Sequence, residues 1–180
     1  MNVILISAKM QHGKDTFAEL LKEELEVCDK KVLIAHYADL LKYICKTFFE
    51  WDGNKDEKGR SLLQYVGTDK IRHYDDSYWV NFIIEFLKMF YNEWDYVIIP
   101  DTRFPNEVER MKDVFKNNVY TIRITRPNFD SGATQEQLNH ASETSLDDYD
   151  FDTYVTNNGT LDDFRLKVMH YADYVLNERR

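Results

Sequence analysis

The chain has 180 residues, 14% of them aromatic and 31% charged, with a formal net charge of -9, which suffices for one substantial core without disulfide or metal staples. The acidic balance argues against a broad nucleic-acid surface, because phosphate backbones are held by many Lys and Arg contacts, yet it leaves room for a nucleotide-sized ligand at a local positive site. No apolar run reaches bilayer-spanning length, the N-terminus enters a strand directly rather than a leader, and Cys28 and Cys45 lack metal or redox spacing, so the sequence reads as a cytoplasmic, single-domain protein with two reduced thiols.

Residues 3–6 (VILI) are a continuous apolar, β-branched run, as expected of a strand covered on both faces. The loop AKMQHGKDT follows. Phe17, Ala18, Leu20, Leu21 and Leu25 then recur at helical spacing, so a helix begins near Lys14 with its N-terminus toward the loop. Against the phosphate-binding pattern of two glycines separated by four residues and followed by Lys and Ser or Thr, Gly13 and Lys14 are in place. Ala8 replaces the first glycine, Asp15 the hydroxyl residue, and Thr16 comes one place later. Backbone N–H groups, the helix dipole and the Lys14 ammonium all favour phosphate here. The Asp15 carboxylate is tolerable beside phosphate with a divalent cation or its water shell between them.

Residues 31–37 (KVLIAHY) read as a second strand, with Asp39 at the corner into a helix through Leu40, Leu41, Ile44 and Phe48. Asp39 suits either an N-cap or an acceptor-binding role. Residues 60–72 predict a helix ending near Gly67; its Gln64 amide can both donate to and accept from a base edge, or simply face solvent. Residues 76–94 form a long helix, apolar over most of its circumference.

Residues 96–100 (YVIIP) are a third buried strand with Asp101 and Arg103 just past its end. Ligands of open parallel sheets sit beyond the carboxyl ends of strands, so both are aimed at the phosphate loop. Asp101 suits a magnesium ion reached through water, or an N-cap for a helix starting near Pro105. Residues 119–125 (VYTIRIT) give a fourth strand containing Arg123, and Arg126 follows. The polar stretch 127–150 reads as a mobile cover that would exclude water and deliver arginines. Residues 153–156 form a fifth strand and 161–176 a final amphipathic helix. Strands alternating with helices predict an α/β fold with a parallel sheet.

The ordered motifs ISAKMQHGKDT, YADLLK, LLQYVGTDKIR with YWV, IIPDTRFPNE, IRITRP and HASETSLDDYDFD leading to NNGTL resemble those of the deoxynucleoside monophosphate kinases of tailed bacteriophages. These are P-loop kinases related to adenylate kinase. Asp15 is normal in that family, whereas Ala8 departs from it. The resemblance implies a five-stranded parallel sheet in order 2-3-1-4-5, an acceptor-binding arm at about 39–95 and a lid at about 127–150. It further implies ATP-dependent phosphoryl transfer to deoxynucleoside monophosphates with Mg2+, a homodimer being compatible with it.

On that map Ala8, Lys9, His12, Gly13, Lys14, Asp15, Thr16, Asn157 and Gly159 would bind ATP. Asp39, Lys42, Gln64, Arg72, Trp79, Asp101, Arg103 and His140 would bind the monophosphate. Lys14, Arg103, Arg123 and Arg126 would serve catalysis, and Asp15 and Asp101 would organise magnesium. Two alternatives stand beside this reading: a P-loop kinase for phosphomevalonate or dephospho-coenzyme A, and a nucleotide-binding regulator without catalysis. Tyr65, Tyr74, Tyr78 and Trp79 favour a base, which stacks, over an aliphatic acceptor.

Overall fold

The computed structural model describes residues 1–177. Strands β1 (Asn2–Ala8), β2 (Val32–Ile34), β3 (Tyr96–Ile99), β4 (Val119–Thr125) and β5 (Thr153–Thr156) form one all-parallel sheet in order β2-β3-β1-β4-β5. This is the order expected from the motifs. Because such a sheet is covered on both faces, its central strands carry long apolar runs, and Val3, Ile4, Leu5 and Ile6 are each wholly buried.

Alternate residues of each strand serve opposite faces. Ile4, Ile6, Ile98, Ile122 and Ile124 pack with Phe17, Leu21 and Leu25 of α1 (Lys14–Val27) and Phe164 and Val168 of α8 (Leu161–Asn177). Val3, Leu5, Val97 and Ile99 pack instead with Trp79, Ile83 and Leu87 of α4 (Tyr78–Met89) and Val108 and Met111 of α5 (Pro105–Phe115). Between β2 and α4 the chain makes α2 (Ala38–Phe48) and α3 (Glu57–Gln64); Cys45 of α2, Trp51 of the loop between them and Val66 just after α3 form a small separate cluster with Leu41 and Leu62.

Three local expectations change. The second strand is three residues long, because the chain turns away after Ala35 to start α2. The helix expected to stop near Gly67 instead runs on as a π-helix, Tyr65–Arg72. Gly67 serves packing there: a Cβ would lie 2.7 Å from Leu41 Cδ2, and its carbonyl accepts the Trp79 indole N–H at 3.2 Å. The long fourth helix ends at Met89 rather than 94. In the stretch 127–150, α6 (Gln135–Leu138) and α7 (Ala141–Thr144) are short, and Leu146, 2% exposed, anchors the chain on the α4/α5 face.

Leu21 is fully buried between α1 and the sheet, so Leu21→Ala should cost about 2–5 kcal/mol of unfolding free energy through lost transfer and a residual cavity. A urea titration of the variant checks it.

Candidate active site

The loop between β1 and α1 is shaped by its left-handed residues, Gln11 at φ 61° and Gly13 at φ 100°. Ala8 needs no such freedom, since it closes the β1–β4 ladder opposite Ile124, which accounts for its standing where the motif has glycine. Gly13 is doubly constrained: beyond its φ, an added Cβ would meet Asn157 Nδ2 at 2.7 Å. That amide donates to the His12 carbonyl at 3.1 Å, so Asn157 braces the loop from behind. Gly159 lies two residues on, at the turn where Asp163 receives the Thr160 N–H at 2.9 Å and caps α8.

At the mouth of the loop the Lys14 ammonium pairs with the Asp15 carboxylate at 2.6 Å, and Thr16 is exposed in the first turn of α1. Lys9 pairs with Asp147 at 2.8 Å. The same carboxylate takes Arg123 at 2.5 Å, and Arg123 also donates to Ser7 Oγ at 2.7 Å. The Arg126 guanidinium stacks 4.0 Å over the Phe129 ring, while its backbone N–H donates to His12 Nδ1 at 3.1 Å. Lys9, His12, Arg123, Arg126 and Asp147 line a cleft of about 340 Å³ beside the loop. It is a cation-rich recess of nucleotide-phosphate dimensions.

The end of β3 adjoins the end of β1, because the Thr102 N–H donates to the Ile6 carbonyl at 3.3 Å. Asp101 turns toward α2: its two oxygens accept from the Tyr37 and Ala38 N–H groups at 3.0 and 3.1 Å. It thus caps α2 from outside rather than α5, using charge against the helix dipole. Asp39 accepts from the His36 N–H at 3.1 Å and pairs with Lys42 at 2.9 Å. Burial works against its charge, but Lys42 and His36 together hold its carboxyl below the ordinary carboxylate value.

Arg72 pairs with Glu107 and stacks 4.1 Å over Phe104. Glu107, 1% exposed, also accepts the Arg103 N–H at 2.7 Å; burial pushes its carboxyl up, and Arg72 opposes that. Arg103 in turn pairs with Glu143 and donates to the Ser142 carbonyl at 3.1 Å. Gln64 Nε2 approaches His140 Nε2 at 3.4 Å. Trp79 alone of the expected acceptor residues lies in the core, 4% exposed, with its N–H on Gly67.

The structure therefore gathers Lys9, His12, Arg123 and Arg126 at one recess and links Gln64, Arg72, Arg103 and His140 in one set of contacts through Glu107, Glu143 and Ser142. Sequence reading missed Glu107, Glu143 and Asp147, the acids that hold these cations. The available signal was their place inside the PNE, HASE and LDD motifs, with no solvent-facing role to explain them. Among the described residues no cluster of three or more His, Cys, Asp or Glu forms a metal cage.

A family model for deoxynucleotide monophosphate kinases matches residues 48–168. The chain belongs to that family. The deoxynucleotide monophosphate kinase of phage T4 is 33% identical over 111 residues, which are 61% of this chain and 43% of the phage protein. A protein of Acanthamoeba polyphaga mimivirus that carries the same name provisionally is 29% identical, with 89% of this chain and 91% of the relative covered. The matched stretch thus spans less than half of the phage kinase.

Among solved structures, a gluconokinase of Sinorhizobium meliloti has a TM-score of 0.58 at 10% identity, covering 99% and 98% of the two chains. An APS kinase of Mycobacterium tuberculosis bound to AMPPNP and APS has a TM-score of 0.51 at 9% identity, covering 98% and 95%. These establish the fold alone. No helix among the described residues is long and apolar enough to cross a membrane.

His12 sits below its ordinary value of 6.5 because burial and then Arg123 disfavour the imidazolium. The neutral ring is the form that accepts the Arg126 N–H. With the folded value depressed, this stabilisation is fully present above the unfolded pKa and is lost as pH falls through the lower folded one. Thermal melts between about pH 7.5 and 5 should decline less steeply for His12→Ala than for the natural chain, once the carboxylates common to both are subtracted.

Proposed function

We propose that the chain transfers the γ-phosphoryl group of ATP to deoxynucleoside 5′-monophosphates, giving deoxynucleoside diphosphates and ADP. The observation that carries this reading is the juxtaposition of a phosphate loop with Arg103 at the end of the neighbouring strand, tied to Arg72 through Glu107. Two cationic groups side by side suit two phosphorylated substrates meeting end to end.

In this reading the loop N–H groups around Gly13 and the Lys14 ammonium hold the β and γ phosphates, with Thr16 near the α phosphate. Lys9, Arg123 and Arg126 face the transferring group, Asn157 braces the loop and Gly159 borders the nucleoside. Arg72 and Arg103 take the acceptor phosphate. Gln64 and His140 face its base, Asp39 and Lys42 flank it, and Trp79 backs the arm through Gly67. Residues 39–95 act as the acceptor arm and 127–150 as the lid, with closure falling to the part before the anchors at Glu143 and Leu146.

The donor set suits magnesium in part. Asp15, with its side chain 66% exposed, is free to meet a hydrated ion, while Asp101 already has both oxygens on backbone N–H groups and would reach one only through water. A magnesium ion there would neutralise charge on the phosphate oxygens. The acceptor oxygen is already ionised at neutral pH, so positioning and charge neutralisation carry the rate and no strong base is required.

A coupled ADP-release assay against deoxy- and ribonucleoside monophosphates tests the reading; release with no monophosphate but with phosphomevalonate or dephospho-coenzyme A would replace it. Lys14→Ala should lower kcat at least about 10²-fold while the fold stays intact, the scale of one lost charge-stabilising contact. Arg103→Ala should raise the acceptor KM or lower kcat with the ATP KM little changed. Steady-state kinetics with each substrate varied decide both.

A further inference from the structure

Glu143 is 7% exposed, and its carboxylate bonds do not serve its own helix. It stands three residues after His140, the spacing at which a glutamate ordinarily returns to cap a helix start. That task is done otherwise: the His140 N–H donates to the Gln137 carbonyl at 3.3 Å, while His140 Nδ1 accepts the Ser142 N–H at 3.2 Å. The Glu143 carboxylate instead reaches two distant partners. One oxygen accepts the Met10 N–H in the phosphate loop at 2.8 Å, 133 residues away, and the other pairs with the Arg103 guanidinium, 40 residues away. A carboxylate removed from water is costly unless paired and hydrogen-bonded, so both contacts are tightly specified.

We propose that Glu143 is a positioning residue that sets the Arg103 guanidinium against the phosphate loop and so fixes the distance between the donor-binding loop and the acceptor-binding arginine. The inference rests on the proposed phosphoryl transfer. Arg103 is held from both ends: its backbone N–H by Glu107 and its guanidinium by Glu143 and the Ser142 carbonyl. Its remaining donors are left for a ligand, since a guanidinium has five N–H groups. Met10 lies in the half of the loop before Gly13, so Glu143 leaves the N–H groups around Gly13 and Lys14 to the donor's phosphates. The same side chain thereby touches the structure on the donor side and the acceptor side without lying on either ligand.

Two variants separate the two bonds. In Glu143→Gln the side-chain carbonyl still accepts the Met10 N–H, but the amide nitrogen faces the guanidinium, donor against donor, and Arg103 is released. In Glu143→Ala both bonds are lost. We expect Glu143→Gln to lower kcat/KM for the monophosphate at least about tenfold while the ATP KM stays within about twofold. In an Arg103→Ala background the same change should cost nothing further, because Glu143 acts through Arg103. A purely structural role would add its loss in both backgrounds.

Amide exchange at Met10, measured without substrate, should be slow in the natural chain and in Glu143→Gln and fast in Glu143→Ala. Natural-like kinetics for Glu143→Gln, an additive loss beside Arg103→Ala, or unchanged Met10 exchange in Glu143→Ala would each overturn the inference. If the natural chain turned over no monophosphate, the kinase reading would fail, while the exchange comparison would still decide whether Glu143 holds the loop.

Discussion

Arg72, Glu107, Arg103 and Glu143 form a chain of buried charge that runs from the π-helix of the arm, across the start of α5 and the end of β3, to the phosphate loop at Met10. Each acid is nearly sealed from solvent, Glu107 at 1% and Glu143 at 7%. An unpaired charge in such a place costs roughly 3–5 kcal/mol, so the four segments cannot drift apart without a large penalty. The elements themselves are ordinary, but this chain fixes how the arm and the α7 segment sit on the sheet.

The sheet supplies what that chain must be attached to. Parallel pairing of β3 with β1 in register Tyr96–Asn2 to Ile99–Leu5 brings the ends of both strands to one edge. The phosphate loop and the Asp101–Arg103 corner are therefore neighbours by topology rather than by any contact between their side chains. Asp101 then ties α2 to that corner through two backbone N–H groups. The arm is thus anchored at its first residues by Asp101 and at its far end by Arg72, with a small cluster of its own between them. A unit tied at two points and cored by only a small cluster between them takes its placement from those ties more than from its own packing.

Legibility from sequence followed the range of the interaction. The five strands and the phosphate loop were readable because their signals are local: runs such as VILI and YVII are apolar in an unbroken stretch, and Gly13–Lys14 follows one of them directly. The continued π-helix was not readable, because a glycine near a helix end has the same local look whether it stops the helix or admits a neighbouring side chain; Leu41, 26 positions earlier, decides the matter. Trp79 fell in the same class: an aromatic in an amphipathic helix is a candidate stacking platform until the carbonyl that takes its N–H is known. For Glu107 and Glu143 the sequence offered acids at helix-start spacing, and only the tertiary partners show that one holds an arginine across the α5 start and that the other leaves its own helix altogether.

The net charge of -9 makes a final point about how such a site can bind polyanions. Most of its cations already have an acid: Lys14 has Asp15, Lys9 and Arg123 share Asp147, Arg103 has Glu143 and Arg72 has Glu107. These pairs fall into two kinds. Asp15 and Asp147 are 66% and 35% exposed, and ion pairs in that setting are worth about 0–1 kcal/mol. Phosphate oxygens can displace them at small cost, and the freed carboxylates return to water. The side chains of Glu107 and Glu143, only 2% and 5% exposed, have no water to return to, so their arginines stay paired and would meet a ligand only with their spare N–H donors. In the proposed reaction the donor side would thus bind by exchange and the acceptor side by addition. That division would let an acidic chain offer a local surface for nucleotides without any excess of basic residues.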